Sequence, residues 1–531
     1  MSRERSHWGW GWADKFPPRE ARKGMAKHVG TLLGFEGQAP EDPVAIGAIE
    51  LPPCRVAAPD SLSDLVSDTP IERITHSYGR AYPDLVRGFY GQFGGAPDRV
   101  ARPTTEAHVT QILDWAGGAN ITVVPFGGGT SVVGGIEGPR DRSEGLVSLD
   151  MRGLDRVLEV DELSRSARIQ AGATGPVLEA QLAERGYTLR HFPQSFEFST
   201  LGGWIATRAG GHFATVYTHI DELVSSTRMV TPSGVMETRR LPGSGAGPSP
   251  DRLVCGSEGT LGVITEAWLR LHERPRHRSK ANVLFADYSK AVEATRTIAQ
   301  ASLFPTNCRL LDKREAMLNM LPTGGKHLLL LGFESADSAR HAWMERALEI
   351  ATSFGGECPK GPQHTERGAR AADGASESWR NAFFEGPYLQ TTLVSLGILA
   401  DTFETACTWD AFGALHDALI RTVRAAMKKE CGAGFISCRF THVYPDGPAP
   451  YYTFVAPAKR GAELEQWRVI KQVASDTLME HGASITHHHA VGRNHRQWYD
   501  RQRPDLFASV LRAAKGVLDP SGILNPGVLI D

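Results

Sequence analysis

The sequence has 531 residues, enough for two or three domains with cores of their own. Its formal net charge of −2 leaves no electrostatic footprint for nucleic acid, so a nucleic-acid partner is excluded. Charged residues at 22% and hydrophobic residues at 41% are ordinary for a globular protein, and seven dispersed cysteines without a Cys-x-x-Cys pair argue for free thiols in a reducing compartment.

Residues 1–98 read as an N-terminal segment. Met1–His7 is charged and lacks the apolar core of a signal peptide. Trp8-Gly9-Trp10-Gly11-Trp12 follows, and prolines mark connections near 40–43 and 51–53. No uninterrupted apolar run reaches membrane-spanning length, and the final Leu-Ile-Asp is not a peroxisomal address. The chain is therefore expected in the cytoplasm, with peripheral membrane association left open.

Residues 99–274 read as a second unit in which short β-rich runs alternate with amphipathic helices. Glu106 to Ala116 places Val109, Ile112, Leu113 and Ala116 on one helical face, and Pro176 to Arg185 is a further helix. Strands are predicted at 145–150, 157–160 and 167–171. Residues 275–490 read as a third unit, after a basic, polar linker from His272 to Lys280. Its predicted strands are 281–285, 327–333, 393–399, 435–444 and 451–456. Its predicted helices are 288–299, 335–353, 410–430 and 463–481. That order implies helices covering an antiparallel sheet, and an α+β fold class overall. The Gly-, Ala- and Arg-rich stretch 358–378 reads as a long mobile loop near the active-site mouth. Residues 491–531 read as helical again, with a tail that packs back on the second unit.

The most informative stretch lies in the second unit. The β-branched run Ile121-Thr122-Val123-Val124 meets Pro125-Phe126-Gly127-Gly128-Gly129-Thr130-Ser131. Three adjacent glycines reach positive φ and leave N–H groups bare, which suits a loop that wraps an anion such as a pyrophosphate. The plain alternative is a glycine-rich surface turn. Residues 132–138 are too rich in Gly and β-branched residues to open a helix, and no Gly-x-Gly-x-x-Gly occurs here, so a Rossmann unit is disfavoured. A second glycine-bearing element runs from Pro193 through Gln194, Ser195, Phe196, Glu197, Phe198, Ser199 and Thr200 to Thr207, Arg208, Ala209 and Gly210. A third comprises Glu258, Gly259, Thr260, Leu261, Gly262, Val263 and Ile264. Asn525-Pro526-Gly527 lies near the end.

In this order the four segments resemble the FAD-binding domain of the vanillyl-alcohol oxidase and p-cresol methylhydroxylase superfamily. The resemblance implies a two-domain flavoprotein, with a PCMH-type FAD-binding domain and a substrate or cap domain. It implies FAD bound by the residues just named. Covalent attachment in the superfamily uses a His or Cys near the flavin, commonly in the glycine loop. Neither occurs in 127–131, so noncovalent FAD is expected.

Three consecutive histidines, His487-His488-His489, follow the last predicted helix of the third unit. Neighbouring side chains diverge in any backbone conformation, so the run cannot converge on one metal, and no metal site is expected. Imidazoles titrate near neutrality and can move protons beside a flavin. This run, the Trp8-Gly9-Trp10-Gly11 start, Phe403 to Trp409 and Cys438 to Tyr444 leading to Tyr451 resemble the alkyldihydroxyacetonephosphate synthase family over nearly the whole chain. The resemblance implies a redox-neutral exchange of acyl for alkyl on a dihydroxyacetone phosphate lipid, with C1 carried on flavin N5. It matches Tyr451 to the family's proton-transfer tyrosine, 487–489 to its histidine run and Arg309 to a functional arginine. Arg439 and Gln390 are placed with the substrate. The plain alternative for Tyr451 is a core strand aromatic, with Tyr452 facing the other way, and for Arg309 a structural ion pair.

The sequence departs from the family at Gln390-Thr391, where the pattern has Arg-Asp. It also has Gln194 for a usual Asp and Gly210 for a usual Ser. Gln390 cannot supply the arginine's charge. A flavin oxidoreductase acting on a 2-hydroxy acid or related alcohol therefore stays open as the alternative, and a flavin-binding protein without catalysis behind it. The expected partner is a small-molecule or lipid substrate, and homodimerisation is left open.

Overall fold

The computed structural model describes residues 3–35, 37–139, 144–217, 219–366 and 374–531. A small sheet near the start of the second unit runs in the order Val66–Ser67, Arg99–Ala101, Gly145–Asp150, Ile121–Phe126, the last three parallel. Ile121 to Val124 are buried without alternation, as a parallel strand covered on both faces requires. Helix Glu106–Gly118 packs Val109, Ile112, Leu113 and Ala116 into the same core. The chain's end extends this sheet: Val123 N–H donates to Ile523 O, and Asn525 N–H to Val123 O.

A five-stranded antiparallel sheet adjoins it, in the order Val157–Asp161, Ser166–Gln170, Val263–Arg270, Val224–Thr231, Gly234–Glu237. Helices Gly175–Ala183 and Leu201–Thr207 bury Leu178, Leu182, Leu201, Trp204 and Ile205 with Ala167, Ile169, Ala267 and Leu269 of its strands.

The largest sheet has seven strands in the order Gln363–Glu366, His277–Phe285, His327–Ser335, Asn307–Leu311, Phe435–Val443, Pro448–Pro457, Ile398–Glu404. Every recorded pairing in it is antiparallel. Helices Tyr288–Gln300, His341–Ser353, Trp409–Cys431 and Glu463–Glu480 cover one face. Side chains alternate along a strand, so Cys308, Leu310, Cys438, Phe440, Tyr452 and Phe454 fill the helix-covered cores. Their neighbours Arg309, Arg439, Thr441, Tyr451 and Thr453 are turned to the other face, where they line a cavity.

The α+β reading holds, with local corrections. The predicted strand 393–399 is instead the end of helix Gly374–Ser395 followed by strand Ile398–Glu404. The β-branched run looks extended, but Thr391 and Thr392 donate back to the Pro387 and Tyr388 carbonyls and continue the helix. Gly397, at φ +61°, ends it. The predicted helix 335–353 starts only at His341, because Ser335 still belongs to a strand and its Oγ accepts from the Asp337 and Ser338 amides. Six of the nine residues of the expected 272–280 linker are strand, since His272–Glu273 pairs with 187–188 and His277–Lys280 with 332–335. Within the expected loop 358–378, Gln363–Glu366 is an edge strand and Gly374 opens a helix, while 367–373 lie outside the described residues. All seven cysteines are free thiols. No helix among the described residues is long and apolar enough to cross a membrane.

Candidate active site

The four glycine-bearing segments meet. Each glycine of the 127–129 loop is there for a different reason. A Cβ on Gly127 would stand 2.3 Å from Thr200 Oγ1, and one on Gly128 only 2.0 Å from the Phe198 carbonyl oxygen. Gly129 has φ +69°. Thr200 caps helix Leu201–Thr207 by accepting from Gly203 N–H. Glu258 is buried and accepts from Val491 and Gly492 N–H at 2.9 and 2.8 Å; burial pushes its carboxyl up to about 7. Asn525 Nδ2 donates to Gly135 O and Glu258 O, and Lys515 Nζ to Thr260 O and Leu524 O. The tail thus ties the first and third loops together.

One cavity of about 550 Å³ runs from these loops to the open face of the seven-stranded sheet. At the loop end, two arginines from the N-terminal segment close on the glycines. Arg5 Nη2 donates to Gly128 O at 3.1 Å, and Arg80 N–H to Ser131 O at 2.6 Å. The Arg80 guanidinium is buried and Arg5 is half-buried, with the Nε of each buried and without a hydrogen-bond partner. Burial lowers Arg5 to about 9 and Arg80 to about 10, a cost that a bound pyrophosphate would offset. A bare-backbone glycine turn beside two cations fits the diphosphate of a dinucleotide cofactor.

At the sheet end, Tyr451 Oη lies 2.9 Å from Thr402 Oγ1, and the Arg439 guanidinium sits 3.9 Å from the centre of its ring. Burial pushes the Tyr451 phenol up to about 12, against the pull of Arg439. Arg439 forms a buried ion pair with Glu315. Arg309 is 2% exposed and donates to His212 O at 3.3 Å; burial, aided by Arg439, pushes it down to about 9.

Glu404 organises the histidine run. Its Oε1 accepts from the backbone N–H of His487, His488 and His489 at 2.9, 2.8 and 2.8 Å, and from Thr486 Oγ1 at 2.7 Å. Its Oε2 lies 2.6 Å from His488 Nδ1. Despite burial, the surrounding histidines and the His488 hydrogen bond hold the carboxyl well below its usual range. The His488 and His489 rings stand 6.1 and 5.4 Å from the Tyr451 ring, and both line the cavity. Burial drives His487 and His489 down to about 3, so both are neutral at pH 7.

Two family models match the chain. FAD binding domain covers residues 97–239, and FAD linked oxidases, C-terminal domain, covers 274–529. Alkyldihydroxyacetonephosphate synthase of Dictyostelium discoideum is 32% identical over 488 residues, covering 88% of this chain and 79% of the relative. The chain belongs to the alkyldihydroxyacetonephosphate synthase family. A solved alkyldihydroxyacetonephosphate synthase structure superimposes with a TM-score of 0.82 at 26% identity, covering 98% of both chains. Substrate-bound p-cresol methylhydroxylase, 15% identical, shares the fold with a TM-score of 0.67 over 88% of this chain and 94% of its own. The chain is a FAD-dependent enzyme.

Within this family member, the cavity is lined by Pro125 to Ser131, Gln194, Ser195, Ser199, Thr200, Thr207, Ala209, Gly210, Glu258, Gly259 and Gly262 to Ile264. Six other expected cofactor residues do not line it. Phe196 packs near Trp204, Glu197 accepts from Trp12 Nε1, and Phe198 lies under Trp10, Trp12 and Arg5. Arg208 pairs with Asp221, while Thr260 and Leu261 are fully buried behind the loop. Contiguity in a motif does not survive the turn geometry that sends alternate side chains backwards. His487 is a further correction, since it turns from the cavity to Tyr444 Oη, 2.7 Å away. Tyr451, His488, His489, Arg309, Arg439 and Gln390 do converge on it. Gln390 Nε2 is spent on Ala400 O at 2.9 Å and Asp401 Oδ1 at 3.4 Å. Sequence reasoning missed Arg5, Arg80, Glu404 and Thr402. For Glu404 the sequence carried little signal, since its strand, Ile398–Glu404, also holds Asp401 and Thr402.

Proposed function

We propose that this enzyme carries out the acyl-for-alkyl exchange of ether lipid biosynthesis: fatty acid leaves C1 of an acyl-dihydroxyacetone phosphate and a fatty alcohol takes its place. The observation that carries the reading is one cavity joining the glycine loops to Tyr451, His488, His489, Arg309 and Arg439. The loops at 125–131, 193–210 and 258–264, with Arg5 and Arg80, hold FAD. When bound, FAD supplies an electron-accepting ring beside C1. Arg309 meets the substrate phosphate, whose charge restores the stability that burial removes from the guanidinium. C1 loses and regains a proton. His488, held by Glu404, takes it, and Tyr451, protonated up to about pH 12, gives one back. The work divides between a FAD-binding unit at 99–274 with the 491–531 tail and a substrate unit at 275–490.

FAD is held without a covalent bond, since residues 127–131 offer neither His nor Cys. Acid precipitation of the holoenzyme is expected to leave all FAD in the supernatant. A yellow pellet would overturn that expectation.

The amide of Gln390, spent on Ala400 and Asp401, brings no charge to the cavity, and this favours keeping the 2-hydroxy acid dehydrogenase as a second reading. Anaerobic mixing separates the two. The exchange consumes no electrons, so acyl-dihydroxyacetone phosphate should release fatty acid without lasting bleaching of the flavin. Gln390→Arg should raise that rate about tenfold or more, the size of a charge-assisted contact. Bleaching by a 2-hydroxy acid, with no fatty acid released by either protein, would reject the synthase reading.

A further inference from the structure

At the cavity wall, which His442 helps to line, three imidazoles from distant parts of the chain form a compact triangle. His219 precedes helix Ile220–Leu223, His442 belongs to strand Phe435–Val443, and His487 opens the histidine run. Their ring centres are 5.2, 4.9 and 5.1 Å apart. Ligands at about 2.0–2.1 Å from a tetrahedral ion hold their ring centres about 5.2 Å apart, so the triangle already has the size of a three-histidine metal centre.

We propose that His219, His442 and His487 form a binding site for a divalent transition-metal ion of the zinc class. The ligating nitrogens lie within 4.8 Å of one another and need to close to about 3.3 Å, a matter of ring rotation rather than backbone movement. His442 is 3% exposed, and its Nε2 lies 3.0 Å from the Gly211 carbonyl oxygen. A carbonyl only accepts, so Nε2 carries the proton and Nδ1 keeps its lone pair. That Nδ1 is buried and lacks a partner. A backbone carbonyl fixing the tautomer of a ligating histidine is the usual outer support of such centres. Gly210 makes the room, because a Cβ there would stand 2.9 Å from His219 Cε1 and 3.1 Å from His442 Cε1. Tyr444 Oη, 2.5 Å from His219 Nε2 and 2.7 Å from His487 Nε2, now bridges the two rings. The ion replaces that hydrogen bridge and leaves the hydroxyl as an oxygen donor in the fourth direction. Imidazole donors without thiolate select zinc, nickel, copper or iron over magnesium or calcium. A second grouping, Glu404 with His487 and His488, shares His487. Its carboxylate is already committed to three backbone N–H groups and His488, so the three-histidine set is the better donor set.

The test is zinc binding by the FAD-loaded full chain, purified without a metal-affinity step. Elemental analysis and calorimetric titration with Zn²⁺ are the readouts. Wild type is expected to bind about one equivalent. Loss of an outer-shell partner costs about 10–100-fold in affinity, so loss of a ligand in His219→Asn or His442→Gln should cost more than 100-fold. FAD content and melting temperature report that these variants are folded, and a folded double variant that binds zinc like wild type would overturn the site. His489→Gln, outside the triangle, should bind like wild type. Wild type without zinc binding tighter than millimolar overturns the proposal. So does a site lost in His488→Gln but kept in His219→Asn, which would move the ion to Glu404.

Discussion

Tyr451→Phe is expected to keep its FAD and to lose turnover by about 100-fold or more, the usual weight of a positioned acid–base group. The ring stays in place because its packing does not involve the hydroxyl: Arg439 lies over one face and the strand holds the backbone. Only the proton-bearing oxygen and its bond to Thr402 are removed. His488→Ala should show a loss of the same order, again with FAD retained, since 487–489 are held through backbone N–H groups on Glu404 that the substitution leaves intact. Flavin content, melting temperature, kcat and KM measured on the same preparations check this. Variants that shed FAD or unfold would make the two side chains structural. Unchanged kcat would remove them from the chemistry.

Gly128→Val is expected to abolish FAD retention, and Gly128→Ala to weaken it in the same direction. The reason differs from the one the motif suggests. Gly129, not Gly128, has the positive φ, and the space beside Gly128 is filled by protein. Any Cβ there meets the Phe198 carbonyl at 2.0 Å and Ser199 Cα at 2.8 Å, both rigid backbone. The first glycine loop must then part from the 193–200 segment, and the two cavity walls separate. Absorbance of the purified variants, followed by reconstitution with excess FAD, measures the effect. Full flavin occupancy in a folded Gly128→Val protein would show that this close approach does not shape the cofactor site.

Much of this enzyme was legible in its sequence, because local periodicity and turn chemistry carry their own physics. The run 121–124, the helix at 106–118 and the major helices of the third unit announce themselves by burial period. The glycine loops are readable because a bare backbone has few other uses. Strand alternation even gave the opposite orientations of Tyr451 and Tyr452. Short polar pieces were not legible. Asn307–Leu311 carries a buried arginine where a strand pattern calls for an apolar residue, and only the cavity behind it explains that choice. Threonines at 391 and 392 suggest a strand until their hydroxyls are seen bonding back along a helix.

What the chain determined by itself is the family, the cofactor loops and the residue types its chemistry requires. Tertiary structure alone decided which of them meet. Arg5 and Gly128 are 123 residues apart, and Glu404 stands 83 to 85 residues from the amides it gathers. His219 and His442 lie far from the run that supplies His487, and that run divides, His488 and His489 facing the cavity and His487 facing Tyr444. Such meetings depend on sheet order and on which strand face each residue occupies, and neither is encoded within the few residues over which a pattern can be read.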